Sequence, residues 1–251
     1  SFWDISNGSV VGSEGTILTT NNGGKKWNIE ESGTDKDLFD IAYIESNTEV
    51  AVGDSGTILR TTDNGKNWTN IISGTNRKLN KVDFINSEIG FVVGDAGVIL
   101  KTTDGGINWN ILNSETTNDL YGVCFINEDV GTAVGFLGTI LRTTDSGNGW
   151  ISQQVQANIP FMAVSFADEN NGIISGVSGL TVKTTNGGLT WDLYSTPTIE
   201  ALYSIDYITP NKAVAVGSNG TILNTTNGGE TWSSQTIGVT KWLYGISLFD
   251  S

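Results

Sequence analysis

Ala51-Val52-Gly53-Asp54-Ser55-Gly56-Thr57-Ile58-Leu59-Arg60-Thr61-Thr62-Asp63-Asn64-Gly65-Lys66-Asn67-Trp68 is the stretch whose reading decides the fold. Its closing tryptophan recurs at positions 27, 68, 109, 150, 191 and 232, spaced 41 residues apart each time. A fixed period of about 40 residues means one supersecondary unit copied along the chain. Six such units account for nearly all of the 251 residues, so one domain over 1–251 is expected.

Each unit holds four short stretches of β character. In the third copy they are Lys81-Val-Asp-Phe-Ile85, Gly90-Phe-Val-Val93, Gly97-Val-Ile-Leu-Lys-Thr102 and Asn108-Trp-Asn-Ile-Leu112. Turn residues part them: Asn86-Ser-Glu, Gly94-Asp-Ala-Gly97 and Asp104-Gly-Gly106. No segment sustains an apolar period of 3.6, so helices are not expected. Four strands in about 40 residues describe a propeller blade. The chain is thus read as all-β, a six-bladed β-propeller of four-stranded antiparallel blades.

The ends suggest how the ring shuts. Leu243-Tyr-Gly-Ile-Ser-Leu-Phe249 repeats the first strand of a unit, Leu120-Tyr-Gly-Val-Cys-Phe125, and the chain stops after it. The N-terminus supplies the other three: Gly8-Ser-Val-Val-Gly12, Gly15-Thr-Ile-Leu-Thr19 and Lys26-Trp-Asn-Ile29. The C-terminal strand, 243–250, is therefore expected to join the N-terminal blade and remove both open edges.

The residues ending at each tryptophan carry a second signature. Thr61-x-Asp63-x-Gly65-x-Asn67-Trp68 resembles the Asp box of sialidase-like propellers, and it recurs at Thr102/Asp104/Gly106/Trp109 and Thr143/Asp145/Gly147/Trp150. Asparagine replaces the aspartate at Asn22, Asn186 and Asn227. The longer phrase Val-Gly-x-x-Gly-Thr-Ile-Leu-x-Thr-Thr-Asp/Asn-x-Gly-x-x-Trp is similar to the photosystem II stability/assembly-factor family of Asp-box (BNR-like) propellers. Sortilin ectodomains and xyloglucanases share the box. The resemblance implies a propeller that chaperones a reaction-centre protein through an arginine-rich surface. The only arginines here are Arg60, Arg77 and Arg142, so a partner surface of another composition is expected.

The box is itself structural. An Asp or Asn oxygen accepts backbone amides of the tight turn, glycine supplies positive φ, and the indole packs on the neighbouring sheet. Each buried indole removes roughly 150–250 Å² from water, which at about 25 cal/mol/Å² stabilises by up to about 4–6 kcal/mol.

Composition narrows the function. The net charge of −14 disfavours nucleic acid and anionic membranes as partners, and no apolar run approaches the roughly 18–20 residues of a membrane span. With no histidine and one cysteine, zinc and copper sites of nitrogen and sulfur ligands are ruled out, as is histidine-based acid–base chemistry. No cofactor, metal or catalytic set is expected. Cys124 lies in an apolar strand and reads as a small core residue. The start at Ser-Phe-Trp reads as a processed protein or an excised domain, secreted or displayed at a cell surface, monomeric or part of a larger protein.

Sialidase chemistry needs three arginines gripping a carboxylate. Arg60 and Arg142 share one repeat position at the Asp-box end of the third strand, away from Arg77, so that activity is rejected. Acids are abundant near the opposite turns (Glu14, Asp54, Asp95, with Glu30, Glu31, Asp35 and Asp37 in the first inter-blade loop). A hydrolase using two carboxylates is therefore one alternative, and a purely structural module of a larger surface protein is another.

The favoured reading is a non-enzymatic binding or scaffold propeller for a protein segment or glycan. Departures of one copy from its siblings point to the site. One repeat position reads Phe39, Asn80, Tyr121, Met162, Tyr203 and Tyr244. Trp242 stands where other copies carry Asp37, Lys78, Asp119, Pro160 and Ala201. Trp242, Tyr244, Tyr203, Tyr121 and Phe39, with Arg77 of a basic loop, are the candidate ligand-binding residues.

Overall fold

The computed structural model describes residues 1–248. Its strands form six sheets in which hydrogen-bonded neighbours follow chain order; five have four strands and the first has three. The third sheet is representative, with Leu79–Phe84, Gly90–Gly94, Ile99–Thr102 and Asn110–Leu112 joined antiparallel. Trp109 precedes its outer strand instead of lying within it. The chain packs as two compact units, Ser1–Val123 and a second starting at Cys124; the division falls inside the strand Leu120–Phe125.

Alternation explains the cores. Second strands are buried on both faces: every residue of Thr48–Gly53 and of Gly90–Gly94 is buried. First strands bury one face, as in Leu79 and Val82 or Leu202 and Ile205. Within the first unit Val50, Val52, Ile58, Leu79, Val92, Leu100 and Trp109 share one apolar cluster. Within the second, Ile173, Leu202, Ala215, Leu223 and Trp232 form another. The box tryptophan thus packs between its own sheet and the preceding one, where its area contributes most. Cys124 is half-buried at the margin of the cluster around Phe161, not fully buried as its apolar strand suggests. The buried positions of Leu120–Phe125 are Leu120, Gly122 and Val123.

Successive first strands are stitched by side chains. Asp40 Oδ2 accepts the Val82 amide at 2.9 Å while Oδ1 meets Lys81 Nζ at 3.1 Å. In the second unit Ser165 Oγ accepts the Tyr207 amide at 3.3 Å.

The first sheet differs from its siblings. Its strands are Gly8–Val11, Ile17–Thr20 and Asn28–Glu30, and an isolated bridge from Phe2 to Gly8 lies where a first strand would end. Phe2 precedes Phe84 by two periods, and its ring meets Trp27 as Phe84 meets Trp109. The described part of the expected closing strand, 243–248, carries no strand assignment. Leu243 donates to Gly217 O at 3.0 Å, Ile246 to Ser204 Oγ at 3.4 Å and Leu248 to Asp206 Oδ2 at 3.0 Å. Those bonds repeat the stitching of inner strands. The expected pairing of 243–250 with the first blade is not among the strand pairings of the described residues, and 249–250 lie outside them. Leu248 and Phe2 fall at the same repeat position.

Candidate functional site

Two kinds of turn end each sheet. The Asp-box turn is closed by its own side chains. Asp104 Oδ1 accepts Thr102 Oγ1 at 2.8 Å and the Asn108 amide at 2.9 Å, and Thr102 Oγ1 accepts the Gly106 amide at 3.0 Å. The asparagine boxes make the same bonds: Asn186 Oδ1 accepts Thr184 Oγ1 and the Thr190 amide. One oxygen suffices, so the charge is dispensable. The second atom tracks its partner, since Asp63 and Asp104 accept from Asn67 and Asn108 Nδ2. Asn186 and Asn227 instead donate to Thr190 and Thr231 Oγ1. Donation from the Asn67 side chain, its amide and Thr61 lowers the Asp63 pKa to about 2.

Arginines belong to this end. Arg60 Nε donates to Gly105 O at 2.7 Å and Arg142 Nε to Gly187 O at 2.8 Å, each onto the following Asp-box turn. They latch repeats together.

At the other end a single turn of 3-10 helix joins the second and third strands. Its middle residue is left-handed in every copy: Glu14, Ser55, Ala96, Leu137, Ser178 and Asn219, with φ of 54–60°. Gly56 follows Ser55 with φ 74°, and a Cβ there would stand 2.1 Å from Thr75 O, so the inter-blade loop crosses the turn only over glycine. Acids at this end cap backbone. Asp37 Oδ1 accepts the Glu14 amide and Asp119 Oδ1 the Ala96 amide, both at 2.8 Å. Asp54 caps Ser55 at 2.9 Å, and Asp95 accepts Asn80 Nδ2 at 2.9 Å.

The candidate aromatics lie beside these turns. In the first unit Phe39 is half-covered by Lys78, whose Nζ stands 3.9 Å from the ring centroid. Asn80 departs from the aromatic series because its amide latches Asp95 and Leu120 O. Tyr121 is half-buried, and burial, then Asp119 and Asp95, raise its pKa. Arg77 has an exposed side chain while its amide donates to Thr75 Oγ1 at 3.1 Å.

In the second unit three candidates come together. The Tyr203 centroid is 5.8 Å from that of Trp242 and 5.2 Å from that of Tyr244, and Trp242 and Tyr244 are 6.0 Å apart. Trp242 is 57% exposed and Tyr244 66%. Glu200 lies near enough, after burial and Tyr244, to help hold the Tyr203 hydroxyl above its ordinary pKa. Its Oε2 accepts Ser218 Oγ at 2.7 Å. Sequence reasoning missed Glu200, Ser218 and the pairing of Lys78 with Phe39. The shared repeat position of Lys78 and Trp242 is the signal that could have found that pairing.

Six in-register sheets, each ending in a box turn and a left-handed turn, define an Asp-box β-propeller. The family described as photosynthesis system II assembly factor YCF48 matches residues 1–71, 30–116 and 105–196, and the chain belongs to that family. The structure of YCF48 from Cyanidioschyzon merolae is similar with a TM-score of 0.77 at 20% identity, over 96% of this chain and 85% of that one. A YCF48 bound to a D1 peptide gives 0.75 at 20% identity, over 93% and 78%. The GH74 xyloglucanase from Xanthomonas campestris gives 0.75 at 11% identity, over 93% of this chain and 44% of that one. At these identities the likeness to the solved structures is one of fold. No curated protein matches the chain.

Proposed function

We propose that this propeller is a non-enzymatic scaffold that holds a segment of a partner protein, and that Tyr203, Trp242 and Tyr244 are the contact surface. The observation that carries this reading is three mutually touching rings, two of them more than half exposed, at the turn end of a rigid sheet. Tyr and Trp are the side chains that dominate protein interfaces, because large rigid area is covered at small cost in conformational entropy. A propeller of the same fold that holds a peptide supports the reading. So does the use of Asp37, Asp54 and Asp119 as caps of backbone amides and of Asp95 as acceptor for the Asn80 side chain, which gives those acids supporting roles in the turns instead of a pair across a substrate.

Selection from a random-peptide display library tests it. Peptides that bind the wild-type chain should lose binding at least tenfold to a Trp242→Ala/Tyr244→Ala variant whose melting midpoint is nearly unchanged. Peptides that bind both proteins equally would move the site elsewhere. Binding on a glycan array, with no peptide selected, would replace the protein partner by a carbohydrate, and release of reducing ends from that glycan would make the chain a hydrolase.

A further inference from the structure

Phe39 and Tyr203 occupy the same place in the 41-residue period, and Lys78 and Trp242 share the place two residues before it in the repeat that follows. In the first unit the Lys78 ammonium sits 3.9 Å from the Phe39 centroid, a cation on the face of an aromatic ring. In the second unit an indole replaces that ammonium, and Tyr244 adds a ring where the corresponding residue after Lys78 is Asn80. The second cluster thus presents rings to solvent, Trp242 57% and Tyr244 66% exposed, where the first presents a ring with its ammonium.

The geometry suits a cation. With all three centroids within 6.0 Å of one another, a group seated above the triangle lies within about 6 Å of each, the range of cation–π attraction. Glu200 stands beside Tyr203, its carboxylate oriented by Ser218 Oγ at 2.7 Å. Among the described residues the cations placed over rings are Lys78 and Lys101, the latter on Phe91. The chain carries 27 acidic against 13 basic side chains, a field that draws a cationic partner in.

We propose that Tyr203, Trp242 and Tyr244 recognise a lysine or arginine side chain of the bound segment, with Glu200 as its carboxylate neighbour. This inference rests on the reading that the face binds a protein segment and adds the chemistry of the residue it captures. The ammonium or guanidinium lies over the rings while its aliphatic stem covers the indole.

Fluorine NMR of protein labelled with 5-fluorotryptophan tests it, the Trp242 signal being assigned from its loss in Trp242→Phe. N-acetyl-lysine methylamide and N-acetyl-arginine methylamide should shift that signal saturably, and the norleucine analogue should not. Glu200→Gln should weaken the cationic compounds roughly twofold to fivefold, and added salt should weaken them further. Trp242→Lys should fold, because it copies the Lys78–Phe39 pair, and should lose binding by occupying its own site. An equal response to norleucine, or cation binding retained by Trp242→Lys, would overturn the proposal. Display-selected peptides with no shared lysine or arginine would also overturn it, leaving segment binding intact. Failure to select any peptide bears on segment binding alone, since the small-compound titration reads the cation separately.

Discussion

The ring of Phe84 lies flat on the backbone of Gly90: a Cβ at Gly90 would stand 2.5 Å from Phe84 Cε1. The other side of the motif is Trp109, which meets Phe84 edge-on at 5.9 Å and 79°. Phe125 with Gly131 and Trp150, and Phe166 with Gly172 and Trp191, repeat it. Gly90→Ala is expected to cost about 1–3 kcal/mol, the range for overpacking. Phe84→Leu in the same background should recover part of that cost, giving a coupling of at least about 0.5 kcal/mol in a double-mutant cycle by urea unfolding. Additive effects would mean that the ring yields freely.

The second repeat breaks the motif and makes a pH-dependent element. Glu49 takes the glycine's place, Tyr43 the phenylalanine's, and the Tyr43 hydroxyl turns to Ser9 Oγ at 3.0 Å. Glu49 is 0% exposed, with Ser9, the Ser1 ammonium and Tyr43 as its polar neighbours. Burial raises the Glu49 pKa, with Ser9, the Ser1 ammonium and Tyr43 opposing in part, and burial pushes Tyr43 up to about 12. The folded state thus keeps the Glu49 proton to higher pH than the unfolded chain, whose glutamate pKa is about 4.3. Stability from this residue is greatest below that value and falls as pH rises through the raised one. Glu49→Gln should be more stable than wild type by about 1–3 kcal/mol at neutral pH, and the gain should vanish near pH 4. Urea titrations at the two pH values decide it; a constant difference would show that Glu49 has the same pKa in the folded and unfolded chain.

Thr102 tests the box without touching its charge. It is fully buried, donates to Asp104 and accepts the Gly106 amide. Thr102→Val keeps the shape and leaves that buried amide unpaired, so a loss of about 1–3 kcal/mol is expected. Thr102→Ser should restore most of it. Thr184→Val should cost about as much in its asparagine box, where the Gly188 amide makes the same bond. A much smaller loss there would mean that the carboxylate, not the hydroxyl, holds the turn.

What the chain discloses follows the reach of each interaction. Asp boxes and strands are local: Asp104 bonds residues 102, 107 and 108, so the spacing of one period contains the whole device. Trp242 stands out because none of its earlier siblings, Asp37, Lys78, Asp119, Pro160 and Ala201, is aromatic. The capping by Asp37 and Asp119 does not, because it depends on a left-handed turn 23 residues upstream. Glu49 was visible as a lone departure from Gly8, Gly90, Gly131, Gly172 and Ala213, yet its burial follows from packing of a neighbouring repeat. Closure by 243–250 is read from strand likeness, and the described part of that segment keeps the inner-strand bonds to Ser204 and Asp206.

Trp242→Asp separates site from scaffold. In two copies an aspartate at this position caps the left-handed residue 23 positions earlier, Glu14 or Ala96; for Trp242 that residue is Asn219, with φ 54°. The substitution supplies the missing cap, worth about 0.5–1.5 kcal/mol. It removes two ring contacts, worth about 0.5–1.5 kcal/mol each when well packed and less where the indole is 57% exposed. The two effects nearly offset, so the melting midpoint should move by no more than a few degrees, as a change of about 1 kcal/mol implies for a chain of this size. Peptide binding at the Tyr203–Tyr244 face should meanwhile disappear. A collapse of the midpoint would instead make Trp242 an anchor for the terminal segment, its exposure incidental. Retained binding with an unchanged midpoint would assign recognition to other residues of the turn face.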